Sequence, residues 1–247
     1  MFDLSSIVMI GAIFLLAGTV KGVIGLGLPT LSLGLLTATL DLTTAMALLI
    51  VPSFITNLWQ AIAGGNAREL LLRLWPFLLM ATITVWPGAT ALARLELALL
   101  SILLGGLLMS YALLGIGGFH LSITSRSEAW AGPVFGTVNG ILTGMTGSFA
   151  VPGVMYLQSI GLPRDMLVQA MGILFTASTL ALAFALHTNK LLTPELGLVS
   201  AMAVVPAAVG MVAGQRIRRK LPEALFRRIF FIAILSLGVC IILKTLL

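Results

Sequence analysis

"GTVKGVIGLGLP", from Gly18 to Pro29, sets one lysine and four glycines inside an otherwise apolar stretch, and its reading decides the fold. An ordinary membrane-spanning helix favours neither residue, because a charge in hydrocarbon is costly and glycine weakens a helix. The pattern returns later as "GTVNGILTGMTGSFAVP", from Gly136 to Pro152. There Gly136, Thr137, Val138 and Gly140 repeat Gly18, Thr19, Val20 and Gly22, with a few more residues before the proline. Downstream, "AMALLI" at Ala45 is matched by "AMGILF" at Ala170. The chain therefore reads as two homologous repeats, residues 1–118 and 129–247, that together make one membrane transport domain. Duplication of this kind is typical of transporters, whose substrate site tends to lie near the midplane between the repeats.

Composition fixes the class around that motif. Of 247 residues, 59% are hydrophobic and only 9% charged, arranged as apolar runs of about twenty residues between short polar turns. Each run suits the ~30 Å hydrocarbon core of a bilayer, so the fold class is all-α and polytopic. The strict alternation of a transmembrane barrel strand is missing. The start of the chain carries Asp3 in place of a basic n-region and reads as retained rather than as a cleaved signal. One cysteine, Cys240, supports neither a disulfide nor a cysteine metal site. The net charge of +6 does not point to nucleic acid, because six basic residues crowd into the stretch from Gln215 to Arg228, which reads as a cytoplasmic loop facing anionic headgroups.

The expected segments of the first half are an apolar pair flanking the glycine-rich break, at 4–20 and 28–40, then spans at 42–63, 74–93 and 97–118. The second half gives a broken pair at 129–143 and 152–160, then spans at 167–186, 196–214 and 229–247. From Ala129 to Val138 a helix covers only about 15 Å, half a bilayer, so each broken pair is expected to dip to the midplane, turn through glycines and return. Such non-helical backbone is tolerable only where protein or a water-filled cavity surrounds it. Charge counting favours this. With two re-entrant hairpins, ten basic residues share one side and Arg94, Lys190 and Lys244 lie opposite; eight plain spans would divide them as eight against five. Three full spans per repeat then make the repeats inverted. A discontinuous pair that crosses fully is the alternative.

Paired "G-x-x-x-G...G-x-G...P" segments, each opening one half of a small membrane protein with a basic loop before its last span, resemble the sulfite exporter TauE/SafE family. The resemblance covers essentially the whole chain. It implies a bacterial inner-membrane transporter that exports small sulfur-containing anions such as sulfite, sulfoacetate or other organosulfonates.

The polar residues fit an anionic substrate. All eight acidic residues fall at segment ends or in loops, whereas Lys21 lies inside the bilayer under the hairpin reading and marks a substrate path. If residues 4–20 cross fully, Lys21 instead snorkels to the far surface. Asn139 holds the equivalent place in the second repeat. A return helix starting at the midplane aims unbonded N–H groups and its positive dipole end at that point, which suits an oxyanion. The glycines of the turns, Gly25 and Gly27 in the first copy and Gly144 and Gly147 in the second, let such a terminus form. Thr30, Thr143, Thr146 and Ser148 flank the turns and can donate to sulfonate oxygens, or bond their own backbone. Gly18 with Gly22, and Gly136 with Gly140, suit close helix packing. Asn57, Gln60 and Gln169 are candidate pore-lining amides or helix ties, and Trp59, Trp75, Trp86 and Trp130 suit interfacial anchoring.

Enzyme readings fare poorly. His120 and His187 lie in loops, no HExxH or nucleophile motif occurs, and "GLGLPT" lacks the Lys-Ser/Thr ending of a P-loop. No metal, cofactor, nucleotide or nucleic acid is implied; the partners are a small anionic solute and the lipid bilayer, and a homodimer is compatible with such a chain. The alternatives from other classes are a passive anion channel and a non-transporting structural subunit of a membrane complex.

Overall fold

The computed structural model describes residues 2–118, 122–218 and 223–247, and all regular structure among them is helical. His120 and the Arg219 and Lys220 part of the basic cluster lie outside the described residues. The helices are α1 (Leu4–Ile24), α2 (Leu28–Thr39), α3 (Leu42–Ala63), α4 (Ala67–Ile83), α5 (Val85–Leu92), α6 (Leu97–Ile116), α7 (Ser125–Thr146), α8 (Gly153–Ser159), α9 (Arg164–Thr188), α10 (Pro194–Met202), α11 (Val204–Arg218) and α12 (Glu223–Leu246). Among the described residues seven stretches are long and apolar enough to cross a membrane: α1, α3, α4 with α5, α6, α9, α10 with α11, and α12. The protein is a multi-pass helical membrane protein.

Two spans are jointed for the same reason. Pro87 has no N–H to give to the Ile83 carbonyl, and Pro206 has none for Met202, so the helix is interrupted at Thr84 and at Ala203. Pro52 inside α3 likewise leaves the Leu48 carbonyl without its helical donor. Ser200 repairs that gap: its Oγ donates to the Leu48 carbonyl at 2.8 Å and accepts from the Val51 N–H at 3.1 Å.

The expected helix ends at 20 and 143 are corrected. α1 continues to Ile24 and α7 to Thr146, 21 and 22 residues long. At 1.5 Å per residue each is about 32 Å, so the half-bilayer estimate for 129–138 does not hold. Glycine in mid-helix costs about 1 kcal/mol in isolation. Here Gly18, Gly22, Gly136, Gly140 and Gly144 stay helical because a neighbouring helix packs its backbone or a short side chain against each of them. The chain turns instead at Gly25 (φ 88°), Gly27 (φ 108°) and Gly147 (φ 72°), conformations that side chains with a Cβ rarely adopt. α7 runs six residues beyond Gly140 where α1 runs two beyond Gly22, a difference of roughly one turn. The helices that follow the breaks, α2 and α8, have 12 and 7 residues, close to the expected 28–40 and 152–160.

Contacts divide the chain into two compact units, and neither is a sequence half. The first comprises Met1–Pro52, Leu97–Gly118 and Leu191–Leu247. In it α1 runs alongside α11 in the same direction: Gly18 faces the Ala207 carbonyl, Gly22 faces Met211 and Gly214, and Gly210 and Gly214 receive Leu15 and Thr19. This is a small-xxx-small seam from both helices, which lets backbones approach where no hydrophobic effect operates between helices in lipid. α2 follows α12, with Gly27 at Phe230, Gly34 at Leu237 and Lys244 Nζ donating to the Ala38 carbonyl at 2.9 Å. That lysine satisfies carbonyls left open at the end of α2. Asp3 caps α1; the Ser5 hydroxyl and then Ser6 hold its carboxyl down to about 2.

The second unit comprises Ser53–Glu96 and Phe119–Lys190. α7 runs along α4 and α5 in the same direction, Gly136 at Phe77 and Ala81, Gly140 at Thr84, and Gly144 at Val85 and Ala89. Thr84 Oγ1 bridges the joint by reaching both the Met80 carbonyl (2.7 Å) and the Thr137 carbonyl (3.0 Å). The chain entering α7 meets the chain leaving α8, since Ile123 N–H donates to the Ser159 carbonyl at 2.9 Å. Beside them Arg73 pairs with Glu128 at 2.6 Å and donates to the Ile160 carbonyl at 3.1 Å.

Candidate functional site at the two helix breaks

The first break belongs to the first unit. α1 ends as the Gly25 N–H closes on the Lys21 carbonyl at 2.7 Å. Gly27 then opens α2 in a left-handed conformation with no side-chain cap, and Pro29 occupies the first turn. Gly27 is required twice over: its φ is positive, and an added Cβ would stand 2.8 Å from the Phe230 ring. Lys21 is only 4% exposed and Thr30 is 7% exposed, so both predicted residues of this break are buried. Lys21 stands in the last turn of α1, where a cation interacts favourably with the carbonyl end of the helix dipole. Snorkelling is corrected to the extent that the ammonium is covered by protein rather than projecting outward.

Carboxylates are distributed by a simple rule. All eight acidic residues stand at helix starts: Asp3 and Asp41 as caps, Glu69, Glu128, Asp165 and Glu195 in first turns, Glu96 just before α6 and Glu223 at the first position of α12. Negative charge there complements the dipole. α5 and α11 merely continue jointed spans; α2 and α8, the helices after the two breaks, are the remaining starts without a carboxylate. An anionic ligand at α2 therefore meets no carboxylate of α2 itself.

The second break belongs to the second unit and spends its polar groups differently. Thr143 Oγ1 donates to the Ser148 carbonyl at 2.9 Å, and Thr146 Oγ1 donates to the Leu142 carbonyl at 2.7 Å while accepting from the Ser148 N–H at 3.3 Å. Gly147 N–H closes the helix on the Thr143 carbonyl at 2.7 Å, and Gly144 lies in the α5 seam. These predicted residues come together, but the two threonine protons hold the loop. Asn139 Oδ1 accepts the Gly153 N–H at 2.9 Å and so caps α8 from the side. Its Nδ2 is buried without a partner. Sequence reasoning missed Gly153, whose added Cβ would stand 2.6 Å from Asn139 Oδ1, and the buried hydroxyls of Ser53 and Ser178.

The candidate pore amides tie helices together. Gln60 Nε2 donates to the Val168 carbonyl and Gln169 Nε2 to the Ala61 carbonyl, both at 2.7 Å, while Gln169 Oε1 accepts the Asn66 N–H at 2.9 Å. Asn57 is fully buried, and its main-chain carbonyl faces Gly172. Replacing Gln169 by leucine strands the Ala61 carbonyl and the Asn66 N–H, at about 1–3 kcal/mol for each buried group left unsatisfied. A thermal melt of the purified protein should fall by several degrees, while an equivalent change at exposed Gln158 should not move it.

The model of the family described as Sulfite exporter TauE/SafE matches residues 10–241, nearly the whole chain. Searches of the curated proteins and of the solved structures each return no match.

Proposed function

Because the chain belongs to the sulfite exporter TauE/SafE family, we propose that this membrane transporter of sulfite-type anions exports sulfite, sulfoacetate or another small organosulfonate across the bacterial inner membrane. The observation that carries the reading is the first break: a buried lysine, Lys21, one turn before Gly25 and Gly27, next to a helix start that the chain leaves without a carboxylate. Lys21, Gly25, Gly27 and Thr30 form the charged receptor for the anion. At the second break Asn139 supplies a donor, with Thr143, Gly144, Thr146, Gly147 and Ser148 shaping the loop around it. With the cytoplasm negative, each negative charge that leaves gains about 2.3 kcal/mol per 100 mV, so export needs no nucleotide.

The broken pairs act as re-entrant hairpins. α1 follows α11 and α2 follows α12, and consecutive α11 and α12 are joined by a short connection, which supports antiparallel α1 and α2. The contact of Ile123 with Ser159 supports the same course for α7 and α8. Labelling single cysteines placed at Asp41 and Asp165, in a chain with exposed Cys240 replaced by serine, should report opposite faces of the membrane. Labelling from one face would mean that both pairs cross fully.

Proteoliposomes loaded with labelled sulfite, thiosulfate, sulfoacetate or taurine test the substrate. At least one should move in a voltage-sensitive manner and show counter-flow exchange. Folded protein that carries none of them removes the substrate assignment, and current without exchange identifies a channel.

A further inference from the structure

Most buried hydroxyls in these helices have a local fate. Ser32 donates to the Leu28 carbonyl, Thr146 to Leu142 and Thr179 to Phe175, each four residues back. Ser53 in α3 and Ser178 in α9 have the same opportunity at the Leu49 and Leu174 carbonyls, yet the Oγ of each is fully buried and makes no hydrogen bond. Thr179, the neighbour of Ser178, shows that the α9 backbone does accept such a bond. Thr37 is a third buried hydroxyl without a partner, but it lines a cavity of about 160 Å³ beside Asp41 and Lys244, where water can serve it. Burying a polar group without a partner is costly, so each such group calls for an explanation.

Four placements link the two serines to each other and to Asn139. Ser53 and Ser178 are 125 positions apart, the separation that also sets Ala45 against Ala170, so the same hydroxyl occurs at the same point of both copies. Both sit near the middle of their helices, about 17 and 21 Å from the first residue. α3 and α9 run antiparallel in the second unit, Ala61 at Gln169 and Asn57 at Gly172, which brings Ser53 to the level of Thr176 to Ser178. From the other side, Asn139 and Leu174 both close on Gly153, at 2.6 and 2.9 Å from the place of a Cβ, and Ser178 follows Leu174 one turn later on the same face.

We infer that Asn139 Nδ2, Ser53 Oγ and Ser178 Oγ form an uncharged donor site for one oxyanion group of the transported solute. The inference rests on the reading of the chain as an anion transporter. The Gly153 N–H takes the amide oxygen, leaving an NH₂ that can only donate, so a ligand at Nδ2 must present an acceptor. The hydroxyls can turn their protons to the same oxygens. The acidic residues of this unit, Glu69, Glu96, Glu128 and Asp165, all stand at helix starts, and no carboxylate competes at this depth. Neutral donors hold an anion without the deep trap that a buried ion pair makes, which suits a site the solute must leave.

The test uses full-length protein with Ser53→Ala, Ser178→Ala and the double change, and with Ser53→Thr and Ser178→Thr to retain a hydroxyl. In proteoliposomes the double alanine variant should raise the KM for sulfite at least about tenfold, and the threonine variants should stay near wild type. In detergent without anion, the alanine variants should melt at or above the wild-type temperature, because they remove unsatisfied hydroxyls; a structural role predicts a lower melt. Methanesulfonate and sulfite should stabilise the wild type and not the double variant. Wild-type KM and wild-type stabilisation in the double variant overturn the site, leaving water as the partner of the serines while the transport reading stands. Stabilisation by methanesulfonate that depends on the serines, with no flux of any sulfur anion, keeps the site and removes the transport reading. No stabilisation of the wild type by either anion overturns the site.

Discussion

Replacing Gly22 by leucine is expected to leave little or no folded protein. An added Cβ would run into the Met211 carbonyl and stand 2.9 Å from both the Gln215 nitrogen and the Gly214 Cα, all main-chain atoms of α11. No rotamer change relieves a backbone contact, so the two helices must separate along the seam that joins α1 to the first unit. Overpacking costs about 1–3 kcal/mol even where side chains can shift. Here the loss extends over the facing contacts of Gly18, Gly210 and Gly214 and takes up much of a typical ~5–15 kcal/mol stability. Gly11 is the control within the same helix. Nothing lies within 4 Å of its added Cβ, so Gly11→Ala should be neutral or stabilise by up to about 1 kcal/mol. Monodispersity after solubilisation, followed by a thermal melt, reads both outcomes. A wild-type melt for Gly22→Leu would mean that α1 and α11 do not pack as described.

Lys21→Met is expected to cut anion flux sharply in protein that still folds. Methionine keeps an unbranched stem of similar length and removes the ammonium, its charge and its N–H donors together. Monodispersity after solubilisation checks that the variant folds before its flux is read. Flux of the transported anion under an imposed 100 mV should fall at least about tenfold, equivalent to 1.4 kcal/mol of lost interaction. Lys21→Arg keeps the charge in a bulkier fork and should fall between the two. Wild-type flux in Lys21→Met would remove the lysine from the anion's path, whichever solute is carried.

Much of the architecture was legible before any coordinates. Span 42–63 coincides with α3, and the segments 28–40 and 152–160 nearly coincide with α2 and α8, because run length against bilayer thickness is a strong constraint. The glycine pairs 18/22 and 136/140 were legible as packing positions. The same residue type misled at the helix ends: the turn had been expected at 20 and 143, yet the helices run on to 24 and 146. Asn139 was legible as the counterpart of Lys21 in the repeated motif. Ser53 and Ser178 were not, although the offset that superposes "AMALLI" on "AMGILF" also superposes them.

The amino-acid sequence by itself determined the helical membrane class, the two glycine-rich interruptions, the place of Lys21 in an apolar segment and the carboxylates at segment ends. Each of these depends on transfer energy or backbone freedom, which are properties of short stretches of chain. Tertiary structure alone decided which glycines turn and which pack, since both roles need a missing Cβ and only a neighbouring backbone tells them apart. It also decided that each compact unit draws helices from both halves, and which polar groups are already spent. Gln169, Thr143 and Thr146 give their protons to carbonyls and Asn139 keeps one amide edge open, because a hydrogen bond depends on what folding brings within 3 Å.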